Sequence, residues 1–318
     1  MVKTLPFIYD RLSSGEPVML VVVIEVHGSS PGKKGFKMAV AADGQTVGSI
    51  GGGVMEFNMS NLARSELLAD NPVPFLKRQV HSTNAGEDAS GLICAGEQQH
   101  AFIPLFPDDL ENVRSLIRHL EDGREGIIEM SPKGLIFHET TDKQAVIDMR
   151  PASAIEWRHL EKLTPPATLY VFGGGHISIP MSRIFTMLGF RVAVLDDREG
   201  LVTMRDNAFA HLKKQIDYRE AASHISCCRA AYVCIMTVSH ASDQLILEQM
   251  LPLPLKYLGM IGSRNKVQKI FSNLSARGAD PGQLQRVNSP MGLPINSETP
   301  EEIAISIAAQ IIQQKNAQ

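Results

Sequence analysis

Leu169-Tyr-Val-Phe-Gly-Gly-Gly-His-Ile-Ser178 and, shortly after it, Val192-Ala-Val-Leu-Asp196 form the most informative pattern in the chain. They predict an apolar strand, a glycine turn, a helix and a second strand that ends in a carboxylate. Gly173 suits the tight turn, and Gly175 lets backbone N–H groups approach a pyrophosphate at the helix N-terminus. Asp196 follows Gly175 by 21 residues, which is where a carboxylate typically binds a ribose 2′-hydroxyl. The pattern predicts a Rossmann-type domain, and a strand–turn–helix without a nucleotide is the alternative.

Three further residues belong to this turn. Gly174 and His176 complete the candidate nucleotide-binding segment. Ser178 replaces the usual third glycine, and its small side chain still permits close packing of the helix on the sheet.

Strands and helices continue to alternate in the C-terminal half. Strands are expected at 168–172, 191–195, 231–238 and 257–261, and helices at about 176–188, 242–250, 264–277 and 301–313. Thr299, Pro300 and Glu302 carry the capping box and the first-turn proline of the last helix. Alternation of this kind predicts an α/β fold with a doubly wound parallel sheet.

Ligands of such sheets bind at the carboxyl ends of the strands. The expected crevice is lined by Gly173, Gly174, Gly175, His176, Asp196, Ser239, His240, Gly262, Ser263 and Arg264. Arg264 can bind a phosphate or carboxylate in a forked geometry, or it can be a surface arginine at a helix start. His240 can act as an acid/base group or be simply hydrogen-bonded, and Asp243 can orient it or cap the helix.

The first part of the chain predicts a separate α/β domain with a mixed sheet. Strands are expected at 18–26 and 37–42, helices at 55–69 and 110–120, and hairpins at 92–105 and 126–138, with Gly96-Glu97 near the turn of the first hairpin. The predicted domains are 1–107 and the Rossmann-like 166–318, joined by a connecting segment at 108–165. Thr164-Pro-Pro166 marks the boundary, because two prolines cannot continue a helix.

Two glycine segments of the first domain are candidate anion sites. His27-Gly-Ser-Ser-Pro-Gly32 contributes Ser29 and Ser30, and a second turn contains Gly51, Gly52 and Gly53 directly before a predicted helix. Backbone N–H groups in such a turn can cradle an anion, although glycine triplets also form plain tight turns. Glu56, in the first helical turn, can bind a ligand or simply favour the helix dipole.

Cys94 is the candidate metal ligand. It has a glycine close on either side, so a thiolate there would be an accessible, soft ligand, whereas most lone cysteines are small buried hydrophobes. Cys227 and Cys228 are adjacent and are interpreted as structural. No HExxH or CxxC spacing is present, so no stable zinc site is expected.

Composition excludes several functional classes. The chain has 318 residues, 44% hydrophobic and 20% charged, with a net charge of −3, which argues against a nucleic-acid or anionic-membrane surface. Val18–Ile24 is the longest strongly apolar run, and it is too short to span a bilayer and lacks a signal-peptide cleavage site. The four cysteines follow no disulfide pattern, so we expect the cytoplasm.

Taken together, these segments resemble the XdhC/CoxI family of xanthine dehydrogenase accessory proteins. The similarity in the first domain lies in Gly28-Ser-Ser-Pro31, Met38-Ala-Val40, Ala42-Asp-Gly44, Gly48-Ser-Ile-Gly-Gly52 and Gly91-Leu-Ile-Cys94. In the second it lies in Val171-Phe-Gly-Gly-Gly-His176, Leu188-Gly-Phe-Arg-Val192, Asp196, Leu258-Gly-Met-Ile-Gly-Ser-Arg264, Pro290-Met-Gly-Leu293 and Thr299-Pro-Glu-Glu-Ile-Ala304. Val54 stands where the family usually carries a cysteine in Gly-Gly-Cys-Val-Glu.

The resemblance implies a chaperone without turnover of its own. Such proteins bind molybdenum cofactor, shield it while a cysteine desulfurase replaces an oxo ligand by sulfur, and deliver it to a xanthine dehydrogenase-type hydroxylase. Cys94 is then the contact for the cofactor or its sulfur, and a homodimer is expected. The ligand of the Rossmann crevice stays open between molybdopterin, a dinucleotide form of it, and NAD. The alternatives are an NAD-dependent oxidoreductase with His240 as acid/base, and a nucleotide-sensing regulatory protein.

Overall fold

The computed structural model describes residues 4–80, 96–148, 157–226 and 230–317. The chain divides into two compact units, Met1–Pro165 and Pro166–Gln318. Among the helices of the described segments, none has the length and apolar character that crossing a membrane requires.

The first unit contains two sheets and four described helices. Its helices are α1 (Thr4–Ser13), α2 (Gly53–Leu67), α3 (Leu110–Glu121) and α4 (Lys143–Asp148). Its strands are β1 (Val18–Gly28), β2 (Lys37–Ala41), β3 (Thr46–Ser49), β4 (Phe75–Val80), β5 (Gly96–Leu105), β6 (Gly126–Ser131), β7 (Gly134–His138) and β8 (His159–Leu163). The larger sheet has the order β3-β2-β1-β5-β4 and the smaller one β7-β6-β8, and neighbouring strands in both sheets run antiparallel.

Strand β1 is apolar on both faces because helices cover both sides of the larger sheet. Its residues Met19, Val21 and Val23 pack with α2, while the alternate residues pack with α1, α3 and the smaller sheet. Such two-sided burial explains the uninterrupted apolar run that begins at Val18.

The elements of this unit follow most of the sequence predictions. The helix expected at 55–69 begins at Gly53, and the hairpin at 126–138 is confirmed by β6 and β7. The prediction of a hairpin at 92–105 is wrong in the part that the structure describes. Gly96 and Glu97, which the sequence places near its turn, lie in β5, opposite Gly28 and His27 of β1. The segment expected to connect the domains holds α3 and the smaller sheet, and both share the core of the first unit.

The second unit is a parallel sheet between two layers of helices. Its strands are β9 (Thr168–Phe172), β10 (Arg191–Asp196), β11 (Leu212–Gln215), β12 (Ala231–Ile235) and β13 (Tyr257–Met260), in the order β11-β10-β9-β12-β13. Its helices are α5 (Ser178–Met187), α6 (Val202–Arg205), α7 (His240–Met250), α8 (Arg264–Ala276), α9 (Pro281–Gln285) and α10 (Pro300–Asn316). The sequence prediction of a doubly wound, Rossmann-like parallel sheet is confirmed, and the strand order places the switch point between β9 and β12.

Alternation along the strands builds the two cores of this unit. Tyr170 and Phe172 of β9 face the core with α7 and α8, whereas Leu169 and Val171 face the core with α5 and α10. The capping box of α10 is present as expected, with Thr299 Oγ1 accepting from the Glu302 N–H and the Glu302 carboxylate accepting from the Thr299 N–H.

Candidate functional site

The glycine turn after β9 is shaped first by the fold itself. Gly173 has φ 117°, and a Cβ added to it would lie 2.3 Å from the Met236 carbonyl oxygen, in the turn after β12. A Cβ on Gly174 would lie 2.4 Å from Met204 Cγ. Gly173 is therefore required by the close approach of the backbone after β12, whereas a side chain at Gly174 would displace the Met204 side chain of α6.

Gly175 differs from its neighbours, because a Cβ added to it meets no atom within 4 Å. The chain itself does not require a glycine there. None of the backbone N–H groups of Gly175, His176 and Ile177 donates a hydrogen bond to a residue that the structure describes, and Ile177 gives α5 no side-chain cap. Three consecutive donors at an uncapped helix N-terminus are available to an anion.

Asp196 ends β10 where the sequence places it, but its carboxylate is fully buried and already bound. Oδ2 accepts from the Gly174 N–H at 2.7 Å and from the Arg198 guanidinium at 2.8 Å. Oδ1 accepts from the Arg198 N–H and from Arg198 Nε, both at 2.9 Å. A carboxylate offers about four acceptor positions, and these four hydrogen bonds occupy them. Asp196 therefore cannot accept a hydrogen bond from a ribose hydroxyl while Arg198 stays in place.

These contacts also set the protonation of the group. Burial alone would raise the pKa of Asp196, but the hydrogen bonds from Arg198 and Gly174, with the Arg198 charge, outweigh burial and lower it. The carboxylate is therefore ionised at neutral pH and fixes both the glycine turn and Arg198.

A second buried carboxylate joins the turns after β12 and β13. Asp243 Oδ1 accepts from Thr237 Oγ1 at 2.6 Å and from the Thr237 N–H at 3.0 Å, while Oδ2 is bound by Lys266 Nζ. Asp243 therefore does not orient His240, which is exposed at the first position of α7. Sequence reasoning does not find the buried Asp243–Lys266 pair, because no local spacing connects the two residues.

The segment after β13 is a capped helix start. Ser263 Oγ accepts from the Lys266 N–H at 3.4 Å, and Gly262 packs against the Lys266 side chain. Arg264 is exposed and forms no ion pair within the described segments. It lines a groove of about 480 Å³ together with Ser289 and Pro290. Its guanidinium is available to an anionic group.

The glycine turn before α2 holds an internal anion. Glu56 Oε2 accepts from the Ile50 N–H at 2.8 Å, the Gly52 N–H at 2.9 Å and Ser49 Oγ at 2.6 Å. Partial burial raises the pKa of Glu56, but these hydrogen bonds and one from the Gly51 N–H lower it overall. The cradle expected over Gly51–Gly53 is thus largely filled by the chain's own carboxylate, an interaction more specific than a helix-dipole effect.

The two glycine segments of the first unit lie against each other. A Cβ on Gly32 would come within 2.0 Å of the Ile50 carbonyl oxygen. Ser29 is exposed, Ser30 is half-buried, and Val54 is 57% exposed at the start of α2. Cys94 lies outside the described residues. Within those residues no group of three or more His, Cys, Asp and Glu side chains is arranged for a metal ion.

Comparison with known proteins supports the motif-based resemblance. The model of the XdhC Rossmann domain matches residues 169–311, and the model of the XdhC and CoxI family matches residues 11–77. The chain is 24% identical over 321 residues to a probable xanthine dehydrogenase subunit of Bacillus subtilis, covering 95% of this chain and 94% of that protein. It is 26% identical over 301 residues to YqeB of Escherichia coli, covering 94% of this chain but only 44% of that protein's length.

A solved structure of a xanthine dehydrogenase from Bacillus halodurans shares the fold. Its TM-score is 0.79 at 23% identity, covering 98% of this chain and 96% of that one. The two family models match segments of both units, and the chain therefore belongs to the XdhC and CoxI family.

Proposed function

We propose that this protein is an accessory protein of a xanthine dehydrogenase-type molybdenum hydroxylase. In this role it binds molybdenum cofactor, supports its sulfuration and delivers it to the hydroxylase. The observation that carries the proposal is the turn at Gly175 in a member of the XdhC and CoxI family. Its N–H groups have no acceptor among the described residues, and a Cβ on Gly175 would meet no atom within 4 Å. The name of the Bacillus subtilis relative supports the choice of hydroxylase.

The chemistry of the turn fits the phosphate end of such a cargo. The N–H groups of Gly175, His176 and Ile177 would bind the phosphate oxygens, and the absence of a Cβ at Gly175 lets the anion approach the backbone. Arg264 would add a cation from the turn after β13, which lies beyond β12 in the sheet. Gly173, Gly174 and Asp196 would act by holding the turn in place.

The first unit carries separate candidate contacts for a cargo. Because Glu56 occupies the N–H groups around Gly52, a ligand would meet Ser29, Ser30 and Gly53 rather than that cradle. Cys94 is the proposed contact for molybdenum or its sulfur, and Val54 means that no second thiol is supplied by the α2 turn. His240 would be a peripheral contact at the start of α7.

The remaining assignments are proposals of the same kind. The partners are the hydroxylase and a cysteine desulfurase, and the protein is a homodimer that does not turn over substrate. The compartment is the cytoplasm, where the cysteine thiols stay reduced. NAD is not proposed as a cofactor, because no described residue forms a hydrogen bond that would orient His240 for acid/base work beside a nicotinamide.

The test is anaerobic binding of molybdenum cofactor to the intact protein, with NAD titrated in parallel. We expect cofactor near stoichiometry, loss of binding in Gly175→Val without a change in melting temperature, and reduced retention in Cys94→Ser. Cys227→Ser serves as the matched thiol control and should bind normally. Binding of NAD with no uptake of molybdenum cofactor would overturn the proposal.

A further inference from the structure

A buried polar network joins the turns that follow β12 and β13. Its centre is the carboxylate of Asp243, which is fully buried in the first turn of α7. Oδ1 accepts from the Thr237 N–H at 3.0 Å and from Thr237 Oγ1 at 2.6 Å, and Oδ2 is bound by Lys266 Nζ. Lys266 Nζ also donates to the Ile261 carbonyl oxygen at 3.3 Å, and its side chain is only 12% exposed.

Stability alone does not explain why charged residues occupy these positions. Moving two charges out of water is costly, and a well-packed apolar pair in their place is often as stable as the ion pair or more stable. Helices α7 and α8 already pack through a common apolar core that includes Ile246, Leu247 and Ile270. What an apolar side chain could not replace is the acceptor for the two hydrogen bonds that Thr237 donates.

These hydrogen bonds fix the orientation of the peptide group between Met236 and Thr237. The group is planar and trans, so its N–H and its C=O point in opposite directions. Because the N–H donates to Asp243, the Met236 carbonyl oxygen points to the other side. Gly173 lies on that side, where a Cβ added to it would be 2.3 Å from the Met236 carbonyl oxygen and 3.1 Å from the Thr237 nitrogen.

Gly173 is the first residue of the glycine turn after β9. The N–H of Gly174 is held by Asp196 at 2.7 Å, and the three N–H groups of residues 175–177 follow without an acceptor among the described residues. Gly173 and the Met236 carbonyl oxygen are too close to admit even a methyl group between them. A rotation of the Met236–Thr237 peptide would therefore shift Gly173, and with it the donors that follow.

Lys266 supplies the counter-charge that keeps Asp243 in this position. Its ammonium is fixed by the carbonyl of Ile261, after β13, and its side chain packs on Gly262, where a Cβ would lie 2.7 Å from Lys266 Cδ. A buried carboxylate without such a partner would take up a proton or draw in water. Its hydrogen bonds with Thr237 would change in either case.

We infer that Asp243 and Lys266 are positioning residues for the anion site at the glycine turn after β9. Asp243 fixes the Met236–Thr237 peptide against Gly173, and Lys266 holds Asp243 in place. Neither residue touches the ligand, and both set its affinity through the alignment of the N–H groups of residues 175–177. This inference rests on the proposed anion site at Gly175.

The test is calorimetric titration of inorganic pyrophosphate into the intact protein, with the melting temperature measured for each variant. Two double variants remove both charges and differ only at position 243. Asp243→Asn with Lys266→Met keeps an acceptor oxygen for Thr237 and should bind pyrophosphate within about threefold of the wild-type affinity. Asp243→Leu with Lys266→Met has no acceptor and should bind about tenfold or more weakly, which corresponds to one misaligned hydrogen bond to the anion.

Leu274→Ala is the control for a loss of stability alone. Leu274 is fully buried near the end of α8, about 15 Å along the helix from its start at Arg264. This variant should melt at a lower temperature and still bind pyrophosphate within about threefold of the wild-type affinity. If Asp243→Leu with Lys266→Met does not fold, Asp243→Ala with Lys266→Met removes the acceptor without adding bulk, and the same loss of affinity is expected.

The outcomes separate this inference from the site on which it rests. Equal pyrophosphate affinity in the two double variants refutes the positioning role, and so does a loss in Leu274→Ala as large as that in Asp243→Leu with Lys266→Met. If the wild-type protein binds pyrophosphate and Gly175→Val abolishes that binding, the anion site stands after either result. If the wild-type protein does not bind pyrophosphate, the anion site fails, and the inference fails with it.

Discussion

Asp196→Asn tests whether the Asp196 carboxylate stabilises the fold or serves to bind a ribose hydroxyl. Asp196 is fully buried and accepts four hydrogen bonds, one from Gly174 and three from Arg198. An asparagine keeps a single acceptor oxygen, so two of these donors must face its amide N–H₂ group. The substitution should therefore destabilise the second unit even when no ligand is present.

The expected loss in the free energy of unfolding depends on which donors lose their acceptor. If the asparagine places its oxygen towards Gly174, the two hydrogen bonds that Asp196 Oδ1 accepts are lost. Each is worth about 1.5–3 kcal/mol when one partner is charged. Arg198 is 37% exposed and can recover part of that free energy from water. We expect a net loss of about 2 kcal/mol in the free energy of unfolding, whereas Asp197→Asn, at the exposed neighbour, should stay within about 0.5 kcal/mol.

The assay is urea unfolding with two probes. Trp157, the single tryptophan, lies in the first unit, so its fluorescence follows that unit, and hydrogen exchange of β9 and β10 peptides follows the second. Asp196→Asn should weaken exchange protection in β9 and β10 more than it changes the tryptophan transition. Equal protection in Asp196→Asn and Asp197→Asn would refute the structural role.

The pH dependence supplies an independent check. Because the folded-state pKa of Asp196 is lowered, its carboxylate contributes stability that is present above the unfolded pKa of about 3.9. That stability is lost as the pH falls through the folded-state pKa. The stability difference between the wild-type protein and Asp196→Asn should thus be constant from neutral pH to about pH 5 and shrink below about pH 4.

Three further substitutions test the contacts around the two glycine turns. Gly173→Ala should lower the melting temperature, because its Cβ would lie 2.3 Å from a carbonyl oxygen at φ 117°; an unchanged melting temperature would contradict the close approach. Glu56→Gln should cost about 1–2 kcal/mol in urea unfolding followed by Trp157 fluorescence, since it removes the charge from three hydrogen bonds. Lys266→Met should cost about 3 kcal/mol or more by leaving the buried Asp243 charge unpaired, and adding Asp243→Asn should restore part of it. No recovery in that double variant would show that the pair is not coupled.

The fold of the second unit is predictable because its signals are local. Apolar runs mark β9, β10, β12 and β13, and the capping box at Thr299 marks α10 within four residues of sequence. Strand β11 escapes prediction, because Leu-Lys-Lys-Gln is exposed along its whole length and shows no apolar alternation. Its place at the sheet edge depends on pairing with β10, which no local pattern reveals.

Partners of the candidate site residues are less predictable than their positions. Sequence spacing puts Asp196 at the end of β10, but whether its carboxylate faces a ligand or the chain depends on how Arg198 packs. Likewise, the sequence leaves open whether Glu56 binds a ligand or favours the dipole of α2, and the structure shows it bound to the turn before that helix. Short polar side chains and backbone donors can meet in many ways, so the choice is made by tertiary structure.

The two glycine turns differ in the backbone N–H groups that they leave available to an external anion. Each turn has an internal carboxylate, and each carboxylate accepts hydrogen bonds from backbone N–H groups of its turn. Glu56 takes the N–H groups of Ile50 and Gly52, so the turn before α2 is closed by the chain itself. Asp196 takes that of Gly174 and leaves the next three N–H groups without an acceptor among the described residues. An external phosphate therefore gains most at Gly175, and a phosphate bound there would not have to displace a carboxylate of the chain.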